Sequence, residues 1–188
     1  RPLTLGPVLI ECGFVRAMAG DGAEFTFRPA LGRIAALGSP REIVEIYAGL
    51  HGPRAAQTAT YILASLCDQE DPTPLVGWTD ENGRHPGEMP EVEQIIIAQH
   101  LMRHGIIGKA RPGQGDGKFS DSFNAAEYIA AARVHLGLSS ADAEALSMTE
   151  FQQMFEMKFP DAGKPKRDVP SREEYEAQIA AIMEKRRG

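Results

Sequence analysis

Across residues 29–159 the apolar side chains return at spacings of three and four, and Gly or Pro interrupts them at short intervals. A chain patterned this way buries one stripe per helix and cannot spread into a large sheet. It has to fold as a set of short helices around a shared core. The clearest start signal is Ser39-Pro40-Arg41-Glu42. Ser39 can cap, Pro40 suits the first helical position, and Glu42 can reach back to the cap. Ile43, Ile46, Tyr47 and Leu50 then make one stripe. Gly52-Pro53 separates it from a helix with Ala59, Ile62, Leu63 and Leu66 on its face. Leu31, Ile34, Ala35 and Leu37 predict a shorter helix before these, ended by Gly38. Further along, Pro90 opens a helix whose apolar side reads as Val92, Ile95, Ile96 and Met102, with Gly105 at its end. An alanine-rich helix is expected from about Asp121 to Leu136, ended by Gly137. Two short helices follow, after Ser139 and after Thr149, and Pro160 stops the second.

The two ends of the chain read differently. Val8, Ile10, Cys12 and Phe14 alternate with their neighbours, as do Phe25 and Phe27, and Gly20-Asp21-Gly22 supplies a turn between the runs. Period two with a turn predicts a small β-hairpin, which must pack on helices because two strands alone are marginal. Residues 160–170 hold three prolines and mixed charge and read as a linker. Ser171-Arg172-Glu173-Glu174 then opens a last helix, with Tyr175, Ile179, Ile182 and Met183 as its apolar stripe. The expected organisation is mainly α: a helical domain with an N-terminal β-hairpin over residues 1–160, and a linker with an amphipathic helix over 161–188.

Residues 68–90 break the helical pattern. Asp68, Glu70, Asp71, Asp80 and Glu81 are acidic, and Pro72, Pro74, Gly77, Gly83, Pro86 and Gly87 punctuate the stretch, which carries the sole tryptophan, Trp78. Connections this long are uncommon in compact domains and are often functional. Asn82-Gly83 can close a small hairpin within it.

Composition narrows the function classes. The net charge is −6 and the sequence pI about 5.4. A protein that grips nucleic acid needs a basic field to neutralise phosphates, so nucleic acid is not an expected partner. No apolar run is long enough to span a bilayer, so no membrane is expected either. Cys12 and Cys67 form no CxxC pair, which points to reduced thiols in the cytoplasm.

Motifs for chemistry are incomplete. The Gly113-Gln114-Gly115-Asp116-Gly117-Lys118 stretch lacks the first glycine and the hydroxyl of a phosphate loop, since Pro112 and Phe119 hold those positions. Asp80, Asn82 and Gly83 fail the spacing of a calcium loop. His100 and His104 share a helix face, and Glu93 lies two turns before His100, so the three are the candidate metal ligands. There is no HExxH, because Leu101 stands at the glutamate position. No GxSxG elbow occurs, and Cys67 falls in an apolar context that favours an inert thiol. These gaps favour a non-catalytic interaction protein without a cofactor. The partner contacts are then expected at Trp78 and at Tyr175, Ile179, Ile182 and Met183, by helix-in-groove docking for the last four. A metal-dependent enzyme on Glu93, His100 and His104, or a helical DNA-binding regulator around Gly52-Pro53, are the alternatives.

Two stretches carry a family resemblance. Leu136-Gly137-Leu138-Ser139 through Ala145-Leu146-Ser147-Met148-Thr149-Glu150-Phe151 is similar to a pattern in tail assembly chaperones of long-tailed phages. There a Leu-Gly-Leu turn precedes a short helix, and a Leu-Thr-Pro-x-Glu-Phe element starts the next. Phe25-Thr26-Phe27-Arg28-Pro29-Ala30 and Leu37-Gly38-Ser39-Pro40-Arg41-Glu42-Ile43-Val44 resemble uncharacterised phage tail-region proteins. The chain departs from the chaperone pattern at Ala143 and Glu144, where an aromatic pair is usual, and at Met148, where proline is common. The resemblance implies binding of a tape measure or tail tube protein during assembly in the host cytoplasm.

Overall fold

The computed structural model describes residues 8–9, 11–109, 121–160 and 172–187. The chain divides into two units, Arg1–Lys158 and Phe159–Gly188. It is mainly α, with a small antiparallel hairpin near the N-terminus and a helix near the C-terminus.

The hairpin pairs β2 (Val15–Met18) with β3 (Glu24–Phe27), Val15 opposite Phe27 and Ala17 opposite Phe25. All four side chains are buried, because alternation sends them to the same face. The turn is set by Asp21, whose Oδ1 accepts from the Ala23 N–H at 2.9 Å. The predicted first strand over residues 8–15 is not continuous. A 3-10 turn at Glu11–Gly13 interrupts it, with Cys12 in the left-handed region at φ 67°. The short β1 (Val8–Leu9) therefore folds back beside β2 as a third strand. Alternation alone gave no warning of this, since a left-handed cysteine is rare.

Helices carry the core. They are α1 (Leu31–Ala35), α2 (Pro40–Gly49) and α3 (Ala55–Leu66), then α4 (Thr73–Val76) and α5 (Glu91–Met102). Next come α6 (Ala125–His135), α7 (Ser140–Ala145) and α8 (Met148–Lys158). The predicted capping box of α2 is present in full. Glu42 N–H donates to Ser39 Oγ, and the Ser39 N–H donates to Glu42 Oε2. That hydrogen bonding holds the Glu42 carboxyl below its usual range. Ala59, Ile62, Leu63 and Leu66 are fully buried on α3, which packs along α5. The end of α3 also ties in the hairpin. Arg28 N–H donates to Leu66 O, Asp68 N–H donates to Thr26 O, and Cys67 bridges to Phe27. Cys67 is buried, and burial pushes its thiol above the ordinary range, as expected for an inert cysteine. Between α6 and α8, Phe123, Tyr128, Phe151 and Phe155 form a run of ring contacts with centroids 5.3 to 5.7 Å apart.

Helix α5 corrects two expectations. Its buried face is Gln94, Ile97, Ala98, Leu101 and Met102, while Val92 and Ile96 are exposed. It also does not stop at Gly105. A π-helical turn, Arg103–Ile107, continues it, and Gly108 at φ 75° ends it. Gly105 is buried against Ile34, and a Cβ there would sit 2.8 Å from the Ile34 Cδ1. The glycine therefore serves packing rather than termination.

In the second unit, α9 (Arg172–Arg187) is a continuous helix. The expected cap Ser171, most of the expected linker and the Gly113–Lys118 stretch lie outside the described residues. No helix among the described residues is long and apolar enough to cross a membrane.

Candidate functional site

The acidic stretch that interrupts the helices folds into a clamped hairpin. Asp71 Oδ1 accepts from the Thr73 N–H at 3.0 Å and from the Thr73 hydroxyl at 2.6 Å, starting α4. These bonds hold the Asp71 carboxyl below its usual range. After Gly77 the chain forms β4 (Trp78–Asp80), turns through Glu81 and Asn82, and returns as β5 (Gly83–His85). Trp78 lies opposite His85, and Asp80 opposite Gly83. Asn82 N–H donates to Asp80 Oδ1 at 2.8 Å, which shapes the turn.

The base of this hairpin is held from three sides. Gly77 has φ 77° and ψ −172°, a conformation essentially confined to glycine. It also crosses the returning chain closely. A Cβ at Gly77 would lie 2.3 Å from His85 O, and one at Gly87 would lie 2.4 Å from Leu75 O. Glu88 N–H donates to Pro74 O and Met89 N–H to Leu75 O, at 3.0 and 2.9 Å. Beneath them sits Gln94, fully buried on α5. Its Nε2 donates to Val76 O and Met89 O, both at 3.0 Å, and its Oε1 accepts from the Thr60 hydroxyl at 2.8 Å. Arg84 adds a bond from Nη2 to Val76 O at 2.7 Å and an ion pair to Glu91 at 3.7 Å.

What this scaffold presents is Trp78. The indole remains 48% exposed, and it stacks on the His85 ring with centroids 4.7 Å apart and planes 14° from parallel. His85 Nε2 lies 2.9 Å from Asp80 Oδ2. The His85 ring and then the Asn82 N–H hold the Asp80 carboxyl below its usual range. Gln94 is the residue that sequence reasoning missed. Its signal was its place in the stripe Gln94, Ile97, Ala98, Leu101, which follows helical spacing through a polar residue.

The histidine pair is real but does not recruit Glu93. His100 and His104 have ring centroids 4.6 Å apart. Glu93 is exposed, and seven residues of helix carry it about 10 Å along the axis from His100. Metal donors must converge within about 2.0–2.2 Å of one ion, so these three cannot share one. Among the described residues, no group of three or more His, Cys, Asp or Glu side chains is arranged to hold a metal. The pair has a structural task instead. His104 Nδ1 is 2.6 Å from Thr149 Oγ1, joining the π-helical turn to the start of α8. Thr149 is itself buried.

Burial lowers the pKa of both rings, and the neighbouring charges of Arg103 and, for His100, of His104 lower it further. The folded state thus favours neutral imidazoles. The unfolded chain binds protons more readily, so stability is fully present above the ordinary histidine pKa and is lost as pH falls through the depressed values. The urea midpoint is expected to drop between about pH 7 and about pH 5. In His100→Gln that drop should be smaller, as read by denaturation followed by far-UV circular dichroism.

Residues 136–158 fold as two capped helices behind a turn. Gly137 is left-handed at φ 67°, and Ser139 Oγ accepts from the Asp142 N–H to start α7. Ser147 and Glu150 then cap α8 reciprocally, at 3.1 and 3.2 Å. The Leu31 N–H donates to Leu146 O, tying the turn between the helices to α1.

In the second unit, α9 exposes Ile179 by 38%, Ile182 by 54% and Met183 by 64%. Tyr175 belongs to the same helix, but its side chain lies outside the described portion.

Fold and site together define a mainly α protein that displays one clamped aromatic hairpin and, in a separate unit, an amphipathic helix with exposed apolar residues. The chain belongs to a family described as a family of unknown function (DUF6246), whose model matches residues 52–177. No curated protein and no solved structure matches it.

Proposed function

We propose that this protein is a phage tail assembly or tail-associated protein that binds a tape measure or tail tube protein stoichiometrically, without catalysis, in the host cytoplasm. The observation that carries the binding role is Trp78. A half-exposed tryptophan on a hairpin anchored by buried Gln94 is a rigid anchor that loses little entropy on binding. The exposed Ile179, Ile182 and Met183 of α9 supply a second apolar contact suited to a groove. Support for the tail assignment comes from the resemblance across residues 136–151. That stretch folds as a turn, a short helix and the start of a second helix, an arrangement compatible with the resemblance.

The test is co-purification of tail gene products on the full chain, identified by mass spectrometry. It is compared with Trp78→Ala and with the double variant Ile179→Asp/Ile182→Asp. Each variant is expected to lose most of the partner captured by the parent chain.

A further inference from the structure

We propose that the Trp78 hairpin receives a basic segment of its partner, with a Lys or Arg side chain seated on the outward face of the indole. This rests on the reading of the hairpin as a partner contact and adds the chemistry of what docks there.

The hairpin register separates two faces. Trp78 and Asp80 are two residues apart on β4 and share one face, with His85 across from Trp78. Thr79 and Arg84 belong to the other face. His85 stacks on one side of the indole at 4.7 Å, and the residue stays 48% exposed, more than a ring covered on both sides would show. An open indole face attracts a cation through its quadrupole, and tryptophan is the strongest such acceptor among side chains.

The surrounding charge selects the same partner. Residues 68–93 hold eight carboxylates; Asp68 is paired with Arg28 and Arg33 and Glu91 with Arg84, while Asp80 and Glu81 belong to the Trp78 hairpin itself. Arg84 does not offset this field on the Trp78 face, because its guanidinium is directed to Val76 O and Glu91. Asp80 and Glu81 are exposed beside the tryptophan. An anionic segment would meet repulsion from Asp80 and Glu81, and a neutral apolar one would gain nothing from their charge. A cationic segment satisfies both the ring and the acids, and the attraction also steers encounter.

Because Trp78 is the sole tryptophan, emission excited selectively at the indole, to the red of tyrosine absorption, reports on this residue. The probes are short tryptophan-free peptides: oligo-arginine, oligo-lysine, oligo-glutamate and oligo-proline. Oligo-arginine is expected to change the emission saturably, with oligo-lysine weaker and oligo-glutamate silent. Affinity should fall about tenfold or more on moving from low to high salt, since exposed charges are screened. Asp80→Asn/Glu81→Gln, at exposed positions, should weaken binding about fivefold while leaving the circular dichroism spectrum unchanged. A labelled oligo-arginine followed by anisotropy should bind Trp78→Phe and lose affinity for Trp78→Ala.

The proposal is overturned if oligo-arginine gives no saturable change, or if oligo-proline binds as tightly. Equal binding of labelled peptide to Trp78→Ala overturns it too, since the cation would then sit elsewhere on an acidic chain. Failure of the broader reading looks different. A tail partner retained through Trp78 that has no basic segment sinks this inference alone. Oligo-arginine binding at Trp78 with no retained tail protein sinks the tail assignment and leaves this surface standing.

Discussion

Gly77→Ala is expected to destabilise the domain by about 3 kcal/mol and to change Trp78 emission before any denaturant is added. Two costs add at this position. The backbone, at φ 77° and ψ −172°, lies where side chains other than glycine are strained. The new Cβ would also meet His85 O at 2.3 Å and Gly87 N at 2.6 Å. Both are backbone atoms, so no side-chain rotation relieves the clash. The alternative is to release the hairpin, which forfeits the bonds from Gln94 to Val76 O and Met89 O. A urea melt followed by both emission and circular dichroism checks this. A parent-like midpoint would show that the crossing of residues 77 and 87 is looser than described.

Gln94→Leu is the second large effect, with an expected loss of about 3 kcal/mol. The side chain makes three hydrogen bonds in a fully buried place, and each is worth about 1 kcal/mol net. Leucine nearly fills the space but supplies no donor, so Met89 O is stripped of its Gln94 partner. Val76 O keeps the bond from Arg84, and the Thr60 hydroxyl turns its single proton to Ala56 O, which lies 3.1 Å away. The damage should therefore concentrate at the join between hairpin and α5. Hydrogen exchange is expected to rise first at residues 88 and 89, whose N–H groups close the hairpin base. Equal acceleration across α3 and α5 would instead mean that Gln94 supports the core as a whole.

Much of the architecture was legible because local signals agreed. Ser39, Pro40 and Glu42 each favour a helix start at the same place, and the capping box forms. The α3 stripe followed helical spacing without ambiguity. On α5 the signal was degenerate. Ile95, Ile96 and Ile97 are consecutive, so several stripes fit the spacing, and a polar residue on the buried face argued for the wrong one. Gln94 is buried only because Val76 O, Met89 O and Thr60 converge on it from three other parts of the chain. Nothing local encodes that convergence. The same holds for Gly77 and Gly87, which look like ordinary loop punctuation until the two strands of backbone cross. The hairpin suggested by Asn82-Gly83 is there, but it turns one residue earlier, through Glu81 and Asn82, with Gly83 already in β5, and Trp78 stood out as the sole tryptophan. The histidines shared a face as their spacing required, but a helical repeat fixes direction and not distance. Glu93 pointed the right way from about two turns too far. At Cys12 the left-handed backbone broke a strand that alternation had drawn straight.

Trp78 and the exposed residues of α9 are the proposed partner contacts. The most direct measurement is co-purification from cells that co-express phage tape measure and tail tube proteins, with parent chain, Trp78→Ala and Ile179→Asp/Ile182→Asp compared at equal folded concentration. The predicted result is a tape measure or tail tube protein retained in stoichiometric amount by the parent and lost from both variants. Retention of the same proteins, in the same amount, by both variants would contradict it.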